Sequence, residues 1–459
     1  MPHRFDPTIL REYDIRGVVG TTLFPADAHA LGRVFAQVLA EAGGRKVAVG
    51  YDGRLTSPEL EAELVEGLAE GAADVVRIGR GPTPMLYFAA ATLPVEGGLM
   101  VTGSHNPPDH NGFKMVLRGK AFFGDAIQRL AQIAATLGAP DRPRGRIEQR
   151  SVFDDYVARL AQDYRTGRGL AVAWDCGNGA TGEVVANLVG RLPGRHVLLN
   201  EVIDGRFPAH HPDPTIPENL VQLQQAVASE RCDLGIGFDG DGDRIGVVDS
   251  RGRILWGDQL LLVLARDVLR RNPGAPVLAD VKSSQVLFDG IAEAGGKPVM
   301  MQTGHSLIKA RLAETGAPLA GEMSGHIFFA DGYYGFDDAV YVAVRLLDIL
   351  ARSEEPLDSM IDRLPPVFNT PEIRIECDEA RKFAIVEEVK ERLSRRGDAF
   401  NDTDGVRVST PEGWWLMRAS NTQAVVVVRA EASSEAGLER LKTQLAAELA
   451  PSGLALPGR

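Results

Sequence analysis

Apolar positions fall in short blocks along the chain. Each block runs into a glycine- or aspartate-bearing turn and then into a helical pattern. Lys46-Val47-Ala48-Val49-Gly50-Tyr51 reads as a buried strand. Ser57-Pro58 then opens a helix, with Ser57 as N-cap and Pro58 at the first helical position. Leu60, Leu64, Val65 and Leu68 give that helix an apolar face at the 3.6-residue period. Alternation of this kind predicts an α/β chain with parallel or mixed sheets.

The pattern recurs. The runs Val47–Tyr51, Ala171–Trp174 and Pro276–Ala279 lead into Asp52-Gly53-Arg54, Asp175-Cys176-Gly177-Asn178-Gly179 and Asp280-Val281-Lys282-Ser283. About 40–65 residues after each comes a second apolar run that ends in a polar loop. Those loops are Thr102–Pro107, Asp239–Arg244 and Gly321–His326. Three matches in order predict three copies of one α/β unit; the plainer alternative is one α/β chain with unrelated turns. After Pro365-Pro366 the pattern changes. Apolar runs at Ile373–Ile375 and Val425–Val428 mix with helical patterns near Phe383–Leu393 and Leu438–Leu449. A smaller α+β unit is expected there, with Arg418–Thr422 in a loop before its last strand. The predicted organisation is three similar α/β domains with mixed sheets at 1–150, 151–253 and 254–365. A C-terminal α+β domain occupies 366–459. Open α/β sheets bind ligands at strand-end loops, so the active site is expected in the central cleft where four loops meet.

Length and charge narrow the function. A chain of 459 residues has room for several domains of ordinary size. With 62 acidic and 50 basic residues the formal charge is −12, which speaks against a general nucleic-acid or anionic-membrane binder. A small anionic ligand in a local basic pocket stays possible. Cys176, Cys232 and Cys377 are too scattered for a disulfide framework or a cysteine-rich zinc site. The segment after Met1 has no apolar signal core, and no run reaches the roughly 18 apolar residues of a membrane span. A cytoplasmic protein is expected.

Four loops carry candidate chemistry. Asp239, Asp241 and Asp243 alternate with glycine, and three carboxylates this close repel one another unless a cation neutralises them. Oxygen-only ligands suit a hard divalent ion. An EF-hand is excluded, because its sixth position would be Arg244 and its twelfth Ser250. Mg²⁺ with open coordination positions is preferred; a solvated acidic turn is the bland alternative. Ser104 sits in a Gly/Pro-rich turn and could be only a turn residue. Asn106 stands where a hydrolase elbow needs glycine, so an acyl-transfer triad is not expected. A serine near a divalent metal suits phosphoryl chemistry. Glu322-Met323-Ser324-Gly325-His326 suits hydrogen bonds to hydroxyls, or is a capped turn with a surface histidine. Arg418 with Ser420, Asn421 and Thr422 has the inventory of a phosphate clamp.

Taken with Arg11-Glu12-Tyr13-Asp14-Ile15-Arg16-Gly17, these loops resemble the α-D-phosphohexomutase family, in its phosphomannomutase/phosphoglucomutase branch. The matching segments fall in family order and span nearly the whole chain. The resemblance implies that Ser104 is a phosphorylated nucleophile. Asp239, Asp241 and Asp243 would hold Mg²⁺, with the Ser104 phosphate as another ligand. Arg244 would orient that phosphate, and Glu322 and Ser324 would read sugar hydroxyls. Arg418, Ser420, Asn421 and Thr422 would grip the non-reacting phosphate, with Tyr13, Lys282 and His326 nearby and Arg16 converging on the same cleft. Lys114 and His305 match positions suggested for proton transfer. Their plainer readings are a solvated strand-edge lysine and a loop histidine.

The implied reaction interconverts hexose 1-phosphate and hexose 6-phosphate, of mannose or glucose. It runs through phospho-Ser104 and a hexose 1,6-bisphosphate that also serves as activator. The implied partners are small sugar phosphates, with no nucleic acid or membrane, and the chain is a monomer or weak oligomer. There are departures. Ala424 follows Gln423 where the family often has proline, which bears on loop stiffness. Met323 stands where the phosphoglucosamine mutase branch tends to carry glutamine. Phosphoglucosamine mutase, a metal-dependent sugar phosphatase and a non-catalytic sugar-phosphate-binding regulator are the alternatives.

Overall fold

The computed structural model describes residues 2–139, 142–421 and 423–457. It contains four separate sheets. The first three share one arrangement. In each, a central strand (Lys46–Tyr51, Leu170–Asp175 or Pro276–Asp280) pairs in parallel on both sides. On one side lies Asp74–Arg80, Gly194–Leu199 or Lys297–Met301. On the other lies Gly97–Val101, Leu234–Phe238 or Leu319–Gly321. That second neighbour turns back antiparallel into His110–Leu117, Ile245–Asp249 or Ile327–Phe329. The Ser104, Asp239–Asp243 and Glu322–His326 loops are therefore the same hairpin of a thrice-repeated unit. The fourth sheet is antiparallel throughout and is built around Val425–Ala432.

The apolar pattern places the core. Leu60, Leu64, Val65 and Leu68 are all buried on the Ser57–Glu70 helix. The start of that helix differs from expectation. Thr56 holds the N-cap position, Ser57 lies inside the first turn, and the Ser57 hydroxyl donates to Asp52 Oδ1 at 2.5 Å. One large apolar cluster runs through the first three domains without a break. It joins Met85–Ala89 of the first to Tyr156–Leu160 and Val184–Leu188 of the second and Leu260–Leu269 of the third. The fourth domain has a core of its own, centred on Val389, Met417, Val428 and Leu441. Arg418 and Ala419 end the Gly413–Ala419 strand and do not lie in the loop after it. Among the described residues no helix is long and apolar enough to cross a membrane.

Candidate active site

A first constellation lies where the first two hairpins meet. Ser104 is 2 % exposed and has φ +49°, a left-handed conformation that is uncommon outside glycine. Its N–H donates to Thr102 Oγ1 at 2.9 Å, and its hydroxyl donates to Asp239 Oδ2 at 2.9 Å across the domain boundary. Gly240 permits this approach, because a Cβ there would fall 2.4 Å from the Ser104 carbonyl oxygen. His105 Nδ1 lies 3.2 Å from Ser104 Oγ, closer than sequence adjacency alone leads one to expect. Burial, then the Arg244 and Arg16 charges, hold the His105 imidazole well below its usual value and keep it neutral.

Asp239, Asp241 and Asp243 are fully buried, and one oxygen of each lies within 4.8 Å of the others. Asp239 Oδ1 accepts from the N–H groups of Gly242, Asp243 and Arg244 at 2.9, 3.1 and 3.2 Å. Burial, then the Asp241 and Asp243 charges, push the Asp239 carboxyl well above the usual carboxylate range. Asp241 Oδ1 and Asp243 Oδ1 are buried with no hydrogen-bond partner among the described residues. Buried carboxylate oxygens left without partners are costly, and two of them in one all-oxygen cluster fit a hard divalent cation. Lys114, far from a solvated edge, is 3 % exposed in the His110–Leu117 strand. Its ammonium donates to Asp241 Oδ2 at 2.7 Å and contacts Asp243 Oδ2. Burial raises the Asp241 carboxyl, but Lys114 and the Thr83 hydroxyl outweigh it and the net shift is downward.

Four more predicted residues join this centre. Arg244 Nε donates to His326 Nε2 at 2.9 Å. His326 Nδ1 lies 3.0 Å from Asp337 Oδ2, and its ring stacks on His305 at 5.2 Å. His305 is not in a loop: it begins the His305–Thr315 helix. Burial, then the Lys309 charge, keep it well below the usual histidine value. Arg16 turns to the serine loop, donating to Asn106 Oδ1 at 2.8 Å and to Asp14 Oδ2 at 2.5 Å.

A second constellation bridges the first, third and fourth domains. Tyr13 donates to the Thr303 carbonyl at 2.9 Å and accepts from Asn421 Nδ2 at 2.8 Å. Its ring meets His305 at 5.8 Å, which joins the two constellations. Burial pushes the Tyr13 phenol up to about 12. Arg418 Nε donates to Asp404 Oδ2 at 2.8 Å, and the same oxygen accepts from Thr303 N at 2.9 Å. Glu322 is buried and accepts from Gly304 N at 2.7 Å, while Ser324 is half-buried on the same turn. Ser420 Oγ accepts from Gln423 N at 3.2 Å. Lys282 sits slightly apart, paired with Glu372 Oε2 at 3.0 Å. Thr422 lies outside the described residues.

Sequence reasoning missed Thr83, Asp337, Asp404 and Glu372, which hold Asp241, His326, Arg418 and Lys282. Only their three-dimensional neighbours distinguish them, since a lone acid or hydroxyl in a turn carries no pattern.

Comparison with known proteins agrees with this layout. Family models described as phosphoglucomutase/phosphomannomutase match in four parts: α/β/α domain I at 7–140, domain II at 154–252, domain III at 256–368 and the C-terminal domain at 372–448. The chain is 44 % identical over 456 residues to a phosphomannomutase/phosphoglucomutase of Pseudomonas aeruginosa, covering 98 % of this chain and 97 % of that protein. It is 42 % identical over 443 residues to a phosphoglucomutase of Neisseria gonorrhoeae, covering 96 % of each. A crystal structure of a phosphoglucomutase/phosphomannomutase family protein from Burkholderia thailandensis superposes with a TM-score of 0.93 at 44 % identity, covering 99 % of this chain and 100 % of that one. Through all four of its domains, the chain belongs to the phosphoglucomutase/phosphomannomutase family.

Proposed function

We propose that the protein interconverts hexose 1-phosphate and hexose 6-phosphate of glucose, mannose or both, with Ser104 as phosphoryl carrier. Phospho-Ser104 gives its phosphoryl group to the free hydroxyl of the bound sugar phosphate. The P–Oγ bond breaks, a P–O bond to the sugar forms, and the sugar hydroxyl gives up its proton. The resulting 1,6-bisphosphate turns over in the cleft and returns its other phosphoryl group to Ser104. Added hexose 1,6-bisphosphate primes Ser104 in the same way. The observation that carries this reading is Ser104, whose backbone is held in the left-handed region and whose hydroxyl is aimed at Asp239.

The other roles come from position. Asp239, Asp241 and Asp243 would hold Mg²⁺ together with the Ser104 phosphate. When bound, the ion neutralises charge on the transferring phosphoryl oxygens. Arg244 and Arg16 orient the phosphate at Ser104. Lys114 and His305 move the sugar-hydroxyl proton, and the neutral state of His305 suits an acceptor. Arg418, Ser420, Asn421 and Thr422 grip the non-reacting phosphate with Tyr13, Lys282 and His326. Glu322 and Ser324 bind sugar hydroxyls. A clamp of this kind reads phosphate and not sugar, so it accepts either end of the intermediate. The fourth domain closes over the cleft and excludes water, the competing acceptor. The enzyme works in the cytoplasm on small sugar phosphates, as a monomer or weak oligomer.

The test assays glucose 1-phosphate, mannose 1-phosphate and glucosamine 1-phosphate side by side, with and without glucose 1,6-bisphosphate. Bisphosphate-dependent activity on glucose 1-phosphate, mannose 1-phosphate or both is expected, and Ser104→Ala should lose about 10⁴-fold or more in kcat. Release of inorganic phosphate without a bisphosphate requirement would contradict the reading.

A further inference from the structure

We propose that Arg54 is a positioning residue for Ser104, gathering the carbonyl oxygens of the serine loop so that the hydroxyl is held against Asp239. The inference rests on reading Ser104 as the phosphoryl carrier. Arg54 lies just beyond the first central strand and its side chain is fully buried. Nη2 donates to the carbonyls of Ser104 and Asn106 at 2.7 and 2.6 Å. Nη1 donates to those of Pro107 and His110 at 2.5 and 2.9 Å. These four bonds use the donors of both amino groups. The remaining Nε lies 3.3 Å from Asp52 Oδ2. Nε makes no hydrogen bond among the described residues but is buried with the rest of the side chain, so Arg54 offers no accessible donor to a substrate phosphate and acts through the loop.

The loop is fixed from both sides. Asp52 Oδ2 accepts from Thr102 Oγ1 at 2.8 Å and Gly103 N at 3.2 Å, which secures the approach to Ser104. Arg54 secures Ser104 itself and the stretch from Asn106 to His110. The guanidinium packs directly on the turn, since a Cβ on Gly103 would lie 2.5 Å from Arg54 Cζ. A non-glycine residue in the left-handed region persists only where its surroundings over-determine it, and this cage supplies that constraint. Each carbonyl drawn onto Arg54 is also withheld from an incoming phosphoryl group. Phe207 of the second domain covers the guanidinium at 5.1 Å, which dries the cage.

The repeat sharpens the assignment. The position two residues after the strand-end aspartate is Arg54 in the first unit, Gly177 in the second and Lys282 in the third. Gly177 offers no side chain, and Lys282 pairs with Glu372 of the fourth domain. Only the unit whose hairpin carries the serine has a planar five-donor group there, able to span four carbonyls as lysine cannot.

The test compares wild type, Arg54→Lys and Phe207→Leu by steady-state kinetics with glucose 1-phosphate and glucose 1,6-bisphosphate. Amide hydrogen exchange is read in parallel over residues 102–110 and 236–246. Arg54→Lys should lose about 10²-fold in kcat, the scale of an ångström-level misplacement, with KM within about threefold because the clamp is untouched. Its 102–110 amides should exchange at least about tenfold faster while 236–246 stays at the wild-type rate. Phe207→Leu keeps the guanidinium and should shift both readouts in the same direction by about fivefold. It carries the test if Arg54→Lys fails to fold. A folded Arg54→Lys with wild-type kcat, a KM that rises in step with the loss of kcat, or unchanged exchange over 102–110 would overturn the proposal. The exchange arm needs no turnover. Wild type that lacks mutase activity, while Arg54→Lys still loosens 102–110, would instead sink the phosphoserine reading.

Discussion

The first three domains and the fourth are joined to their neighbours by different physics. Domains one to three share a continuous apolar cluster. Separating them would expose that surface at roughly 25 cal/mol per Å², so Ser104 and the Asp239–Asp243 loop meet in a fixed geometry. The fourth domain meets the third chiefly through polar groups. Arg407 donates to the Val281 and Ser283 carbonyls at 2.7 and 3.0 Å, and Glu431 accepts from Ser284 Oγ and Gln285 N at 2.9 and 3.0 Å. The apolar contact between the two is small: Trp414 and Leu416 against Val281. Water can replace such bonds at a modest net cost. The proposed chemistry is thus built on the immobile junction, and the proposed phosphate clamp on the one that can be remade.

Breaking the immobile junction should cost most. Asp241→Asn removes a charge from the acidic cluster and is expected to lower kcat about 10³-fold, with weaker Mg²⁺ binding in a calorimetric titration. A variant with wild-type metal affinity would separate Asp241 from the metal. Breaking the clamp should act on binding. Arg418→Ala loses a charged hydrogen-bond donor, so KM should rise about 10- to 100-fold with a smaller change in kcat, and more bisphosphate should escape during turnover. An unchanged KM would remove Arg418 from the clamp.

The Lys282–Glu372 pair tests the docked interface through pH. Lys282, then a hydrogen bond from it, hold the Glu372 carboxyl at about 2 against the opposing effect of burial. The folded value lies below the unfolded one, so the pair's stabilisation is present above about pH 4.5 and lost as pH falls toward 2. The full effect is about 3 kcal/mol. Thermal melts of wild type should fall through that window, and Glu372→Gln should melt lower at pH 7 with a flatter acid limb. Parallel curves for the two proteins would contradict the assignment. The smallest change is Tyr13→Phe, which removes the bonds to Asn421 and Thr303. At about 0.5 kcal/mol for each of these two neutral hydrogen bonds, KM should rise roughly fivefold, with the melting of the first three domains unmoved. A large loss of kcat would instead place Tyr13 in the chemistry.

The fixed region was the more legible one. Three aspartate-led strand ends and three later loops betrayed the repeated unit, because each copy needs a buried strand and a hairpin at the same spacing. Asp239, Asp241 and Asp243 stood out because three adjacent carboxylates have few neutral explanations. Lys114 and His305 were ambiguous, since one basic residue in an apolar run looks alike at an edge or in a core. The docked region was read less well. Arg418 finishes a strand that the turn-like composition of Ser420-Asn421 obscured. Glu372 and Asp404 owe their roles wholly to partners about 90 and 14 residues away in sequence. The Asp52-Gly53-Arg54 turn was visible as a repeat marker, yet nothing in its composition told that Arg54 folds back onto a loop 50 residues later.

The central claim is that Ser104 carries the phosphoryl group through each turnover. Enzyme labelled with ³²P at Ser104 should be mixed with unlabelled glucose 1-phosphate and quenched within a single turnover. The label should leave Ser104 at the catalytic rate and appear first in glucose 1,6-bisphosphate. Label that stays on the protein while glucose 6-phosphate forms, or that leaves only as inorganic phosphate, would contradict the account.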